Sequence, residues 1–173
     1  MARENGQVLF DDTYFMNLAL QEAEKAYSAS EIPVGAIIVV QNRLVARAHN
    51  QVEQLQDPTA HAEMLALTSA FHALGGKYLT ACTLYVTLEP CLMCSNATYW
   101  AQLGRLVFGA TDPKRGYRQI GHQALHPRTT VTQNVLATES QAILQRFFIS
   151  IRQKFVPCSF STQVETQCNK NKP

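Results

Sequence analysis

Four side chains in this sequence have types and spacing that could do chemistry. HAE at 61–63 sets an imidazole two residues before a carboxylate, and PCLMC at 90–94 sets two thiols three residues apart behind a proline. Pro90 fits the first turn of a helix, where its missing N–H would have no partner, and i, i+3 spacing turns Cys91 and Cys94 to one side. The partial positive charge and unpaired amides at such a helix end favour thiolate over thiol. Neutral imidazole and two thiolates form a soft, tetrahedral-prone donor set suited to Zn²⁺.

Each piece alone has a plainer reading. The cysteine pair also fits two reduced thiols packed as small hydrophobes, and His61 also fits a surface or satisfied core histidine. What joins them is position, because each opens a helix that follows a strand, and helix starts on one sheet edge lie together. Closed structural zinc sites take four protein ligands and catalytic sites take three. Three stand out here. Cys82 is expected at the opposite end of its strand, with Cys158 and Cys168 in a tail. Closure by one of them would leave a non-catalytic binding protein, and that alternative stays open. Glu63, turned to the other side of the first helical turn, is placed to move protons to and from water activated by the metal. Its plainer role is a first-turn acid favoured by the helix dipole.

These residues require a scaffold of strands and helices. Asp11 or Asp12 caps a helix in which Phe15, Leu18, Ala19, Ala23 and Ala26 recur at helical spacing to about Ser28. PVGAIIVVQNRLVARAHN reads as a hairpin turning at Gln41-Asn42. A polar loop over 51–57 precedes a second helix, from near Ala60 to the glycines at 75–76. TLYVTL at 83–88 is a strand, and Pro90 opens a third helix running to about Leu103. RLVFG at 105–109 is a strand. A loop of about twenty residues, a short strand near 131–135 and a helix from about Thr138 to Gln153 complete the order. Alternating strands and helices predict a sheet covered on both faces.

At 173 residues, with 46% apolar and 16% charged residues, the chain reads as one domain over 1–154 and a flexible tail over 155–173. No apolar run is long enough to cross a bilayer, and the polar start lacks the regions of a signal peptide, so no membrane partner and a cytoplasmic location are expected. Five cysteines are an odd number for a disulfide framework. The net charge of +2 is unevenly spread. Residues 105–154 hold eight basic side chains and two acidic ones, a local +6 against −4 elsewhere. This fits a phosphate-binding footprint, or an ordinary solvated face.

HAE followed by PCLMC resembles the H-x-E…P-C-x-x-C signature of zinc-dependent nucleobase deaminases. EIPVGAIIV, DPTAHAEMLAL, CTLYVTLEPCLMC and LGRLVFGA are similar, more closely, to the bacterial tRNA adenosine deaminase family, over about residues 12–153. The resemblance implies an α/β fold, a cytidine-deaminase-like three-layer α/β/α sandwich with a mixed sheet of about five strands, assembled as a homodimer. It also implies hydrolytic deamination of adenosine to inosine at the wobble position of a tRNA anticodon loop. On this resemblance His61, Cys91 and Cys94 hold one Zn²⁺, and Glu63 carries the proton from water to the ring and the leaving amine. Asn50, Ala62, Arg115, Phe147 and Phe148 would contact substrate. Asn50 fits a strand-ending turn as well, and the phenylalanine pair fits core packing as well. After Phe148 the chain continues ISIRQK where that family continues with arginines, and after Cys94 it has SNATYW where small residues are usual. A free nucleobase or nucleoside therefore stands as the alternative substrate.

Overall fold

The computed structural model describes residues 3–4, 7–8, 10–119 and 124–154. Two short strands, β1 (Arg3–Glu4) and β2 (Gln7–Val8), pair antiparallel at the start, where the sequence predicts no element. Asp11 then caps α1 (Asp12–Ser28), its carboxylate accepting from the Tyr14 N–H at 2.8 Å. The buried stripe of this helix is Phe15, Met16, Ala19, Ala23 and Ala26, with Leu18 at its margin.

The hairpin of β3 (Gly35–Val40) and β4 (Arg43–His49) turns on Gln41 and Asn42, at φ 48° and 62°. Two successive positive φ values are what a two-residue hairpin with right-handed strand twist requires. After α2 (Val52–Leu55), α3 (Ala62–Leu74) ends on Gly75, whose φ of 62° is cheap only without a Cβ. The chain continues through β5 (Cys82–Leu88), α4 (Leu92–Trp100), β6 (Arg105–Ala110), a 3₁₀ turn (Tyr117–Gln119), β7 (Thr130–Thr132) and α5 (Ala137–Lys154).

The five-stranded sheet runs β4-β3-β5-β6-β7, antiparallel at both edges of β3 and parallel from β5 to β7. It is covered on both faces. Ala36, Ile38, Leu84, Val86, Leu106 and Phe108 pack with Ala62, Ala66, Leu67 and Ala70 of α3. The alternate residues Ile37, Val39, Tyr85 and Val107 pack with Phe15, Met16 and Ala19 of α1, beside which α5 lies. This two-sided burial is why β3 reads GAIIVV without polar alternation. The expected three-layer mixed α/β sandwich is the observed fold.

Several boundaries differ from the sequence reading. The stretch expected as a polar loop contains the single turn α2. The helix expected from near Ala60 starts at Ala62 with His61 as its N-cap, and Cys91, not Pro90, is the residue at the threshold of α4. The reason for the second shift is tertiary. The Glu89 N–H donates to Ala110 O at 2.8 Å and Cys91 bridges Gly116, so the chain stays extended past the proline. The last strand is shorter than expected, ending before the positive φ values of Asn134 and Leu136. The expected tail lies outside the described residues. Among the described residues no helix is long and apolar enough to cross a membrane.

Candidate metal centre

Strand direction assembles the site. Because β3 is antiparallel to both β4 and β5, those two run the same way, and β6 runs with β5. The ends of β4, β5 and β6 therefore share one edge, and α3 and α4 start there. His61 and Cys91 are the two N-caps, both with extended backbone, and Cys94 lies in the first turn of α4. His61 Nδ1 is 3.4 Å from Cys94 Sγ and 3.7 Å from Cys91 Sγ.

These separations suit one ion. Zn–N and Zn–S bonds of about 2.0–2.3 Å in a tetrahedron give donor–donor edges of about 3.6 Å. Among the described residues, His61, Cys91 and Cys94 are the group of His, Cys, Asp or Glu side chains that could hold a metal, and it numbers three donors. Cys82 is buried at the far end of β5, as expected. Cys158 and Cys168 lie outside the described residues.

The electrostatics separate the roles. A hydrogen bond from Cys94 holds the Cys91 thiol at about 4 despite burial, with His61 helping. Cys94 is pushed well above the usual thiol range by its bond to Cys91, by burial and by the Glu63 charge. The bond to Cys91 raises His61 against the effect of burial. Glu63, on the buried side of α3 and only 4% exposed, has its carboxyl pushed up to about 7 by burial, with the His61 charge opposing. A carboxyl tuned near neutrality can both take and return a proton at physiological pH.

The other expected site residues fall into two groups. Ala62 is fully buried directly after His61. Asn50 is buried at the same edge, where its N–H donates to Val34 O and the next N–H, of Gln51, donates to Ala60 O, both at 3.0 Å. Arg115 is exposed and adjoins Gly116, which bridges Cys91. The structure does not bring Phe147 and Phe148 to α3 and α4; they stand on α5, in the opposite layer. Phe147 is buried with its ring edge-on to Tyr27, whereas Phe148 is 45% exposed.

Sequence reasoning missed two buried acids at this edge. Glu89, just before Pro90, accepts from the Asp112 and Arg118 backbone N–H groups and from the Arg118 guanidinium at 3.0 Å through both oxygens. A Cβ on Gly116 would lie 2.4 Å from that carboxylate, so the glycine admits the loop against it. Glu89 thus anchors the basic segment beside Cys91. The second acid is Glu31, which bonds Asn50. An acid within an apolar stretch was the available signal for each.

Over residues 10–110 the chain matches the family described as the cytidine and deoxycytidylate deaminase zinc-binding region. It is 42% identical over 148 residues to a tRNA-specific adenosine deaminase of Aquifex aeolicus, covering 83% of this chain and 97% of that one. Among solved structures, one from a study of A-to-I editing by tRNA:A34 deaminases at the wobble position superposes with a TM-score of 0.72 at 40% identity. The match covers 76% of this chain and 99% of that one. A guanine deaminase from Nitrosomonas europaea superposes at 0.68 with 26% identity, covering 82% and 86%. With its mixed five-stranded sheet and its imidazole–dithiol cluster beside a buried acid, this chain belongs to the zinc-binding cytidine and deoxycytidylate deaminase family.

Proposed function

We propose that this protein converts adenosine to inosine in a tRNA anticodon loop, with His61, Cys91 and Cys94 holding one Zn²⁺ and Glu63 carrying the proton. The observation that bears this reading is the three-donor cluster with the buried carboxyl of Glu63 two residues from His61. Zinc, when bound, supplies the Lewis acidity that makes water nucleophilic near neutral pH. Glu63 takes the proton released as water adds at C6 of the base, gives it to the ring nitrogen, and assists departure of the amine as ammonia. Asn50 and Ala62 contact the flipped base, and Arg115 meets a phosphate. Of the phenylalanine pair, Phe148 offers the exposed ring on which an unstacked base can pack. The relatives support this substrate: the name of the Aquifex protein and the subject of the wobble-position study both specify tRNA.

The reading extends to a homodimer in the cytoplasm. On α4 the side chains of Leu92 and Trp100, the latter 77% exposed, are apolar surface that a second copy would cover. Incubation of the purified protein with tRNA carrying adenosine at the wobble position should release ammonia and leave inosine at that position. Release of ammonia from free bases, with none from tRNA, would reject the proposal.

That outcome would favour a second reading, deamination of a free base, which the likeness to the guanine deaminase supports. In that case added tRNA would not compete. Arg118 is a poor probe for this question, because it is bound to Glu89 and its loss would loosen the loop. Lys114 and Arg115 are the better positions.

A further inference from the structure

Glu31 stands just before β3 and is 1% exposed. Its own N–H is tied to Ala26 O at 2.9 Å, and both carboxylate oxygens are used: Oε1 accepts from the Gln54 N–H at 2.8 Å and Oε2 from Asn50 Nδ2 at 3.0 Å. Among the described residues no cation forms an ion pair with it. A buried carboxylate facing only neutral donors is a costly choice when glutamine has the same shape. Hydrogen-bond polarity explains it. Both partners are donors, and glutamine has one acceptor oxygen, so its NH₂ would face one of them. The backbone N–H of Gln54 cannot reverse. Asn50 can, by turning its amide through half a revolution.

An asparagine amide has two orientations of nearly equal shape and opposite hydrogen-bond polarity. An ionised carboxylate only accepts, so it admits one of them, with Nδ2 toward Glu31. We infer that Glu31 is a positioning residue for base selection: acting through Asn50, it fixes which donor and acceptor the amide presents to the base. This rests on the reading of Asn50 as a base contact, and it adds that the contact's polarity is set from behind by a buried charge.

The test is a double-mutant cycle on the full chain, with zinc content and thermal midpoint measured for each variant. Glu31→Gln lets the Asn50 amide turn, and kcat/KM on tRNA should fall on the order of 10- to 100-fold, as when a buried polar contact meets the wrong partner. Asn50→Ala should cost at least as much. In the Asn50→Ala background, Glu31→Gln should then cost less than about twofold, because nothing is left to orient. An equal loss in both backgrounds would assign Glu31 a general structural role and overturn the inference. So would Glu31→Gln within twofold of wild type. Asn50→Ala within twofold would instead remove the base-contact reading, and this inference with it.

A measurement on the wild-type protein covers the case in which the variant does not fold. In nitrogen-15 correlation spectra one Asn50 side-chain amide proton should resist solvent exchange. Exchange of both at the free-amide rate would also overturn the inference.

Discussion

Glu63 combines near-complete burial, a place in the first turn of α3 and a carboxyl pushed up to about 7 by that burial. A bound cation would pull that carboxyl down, so the acid limb of the kcat/KM profile should lie below pH 7, where Glu63 becomes protonated and can no longer accept from water. Glu63→Gln keeps the shape and removes the proton carrier. Turnover should drop by about 10²- to 10⁴-fold with one zinc per chain retained, read by elemental analysis beside the rate. Loss of zinc along with activity would mean that Glu63 supports the ligands instead. This group was legible in the sequence because two-residue and three-residue spacings at helix starts are local geometry. Glu31 and Glu89 were not, since each acquires meaning from partners about twenty or more positions away.

At the scale of elements, the contact of α1 with β3 depends on Gly35. A Cβ there would lie 2.0 Å from Ala19 O and 2.5 Å from Ala23 N, backbone atoms that cannot rotate aside. Gly35→Ala should force the helix off the strand and destabilise the fold by about 1–3 kcal/mol, seen as a lowered denaturation midpoint. Gly35 also donates its N–H to Thr87 Oγ1 at 3.1 Å, so the shift should reach the end of β5 that leads into Cys91. Zinc affinity, measured by chelator competition, should weaken with it. An unchanged midpoint would show that α1 is more loosely seated than these distances require. The helix periodicity of α1 and the alternation in the hairpin were readable locally. The late start of α4 was not, because it depends on pairing with β6 and Gly116.

At the scale of the molecule, Asp12 ties α1 to the sheet. Burial resists ionisation of its carboxyl, but two hydrogen bonds from Arg105, one from the Tyr85 hydroxyl and the Arg105 charge outweigh it, and it lies below the usual range. A lowered folded value stabilises above the unfolded value of about 3.9 and is lost as pH falls through the folded one. The thermal midpoint should therefore drop below about pH 4, and Asp12→Asn should be less stable at neutrality with a flatter acid slope. A parallel slope would place the acid sensitivity elsewhere, Glu22 being the next such group.

Charge is decided at the same scale. Of the eight cations between 105 and 154, Arg105, Arg118 and Arg146 are paired with Asp12, Glu89 and Glu24. Lys114 and Arg115 are exposed, their backbone N–H groups donate to the Asp112 carboxylate, and no described carboxylate forms an ion pair with their side chains. If they meet phosphates of a looped RNA, replacing both with alanine should reduce the slope of log K against log salt by roughly 1.4. Anisotropy titrations with an anticodon stem-loop measure this, and an unchanged slope would move the RNA footprint off this loop.

By itself the sequence indicated the three candidate donors, the acid beside them and the order of strands and helices apart from α2 and the β1–β2 pair, because caps, turns and hydrophobic periods are set by neighbours within a few residues. Only the tertiary structure decided that the two helix starts meet, since this needs β4, β5 and β6 to run the same way. It also decided which acids sit behind the site, which of two adjacent phenylalanines faces solvent, and how many arginines remain unpaired. Those outcomes depend on residues far apart in the chain, and no local pattern encodes who their partners will be.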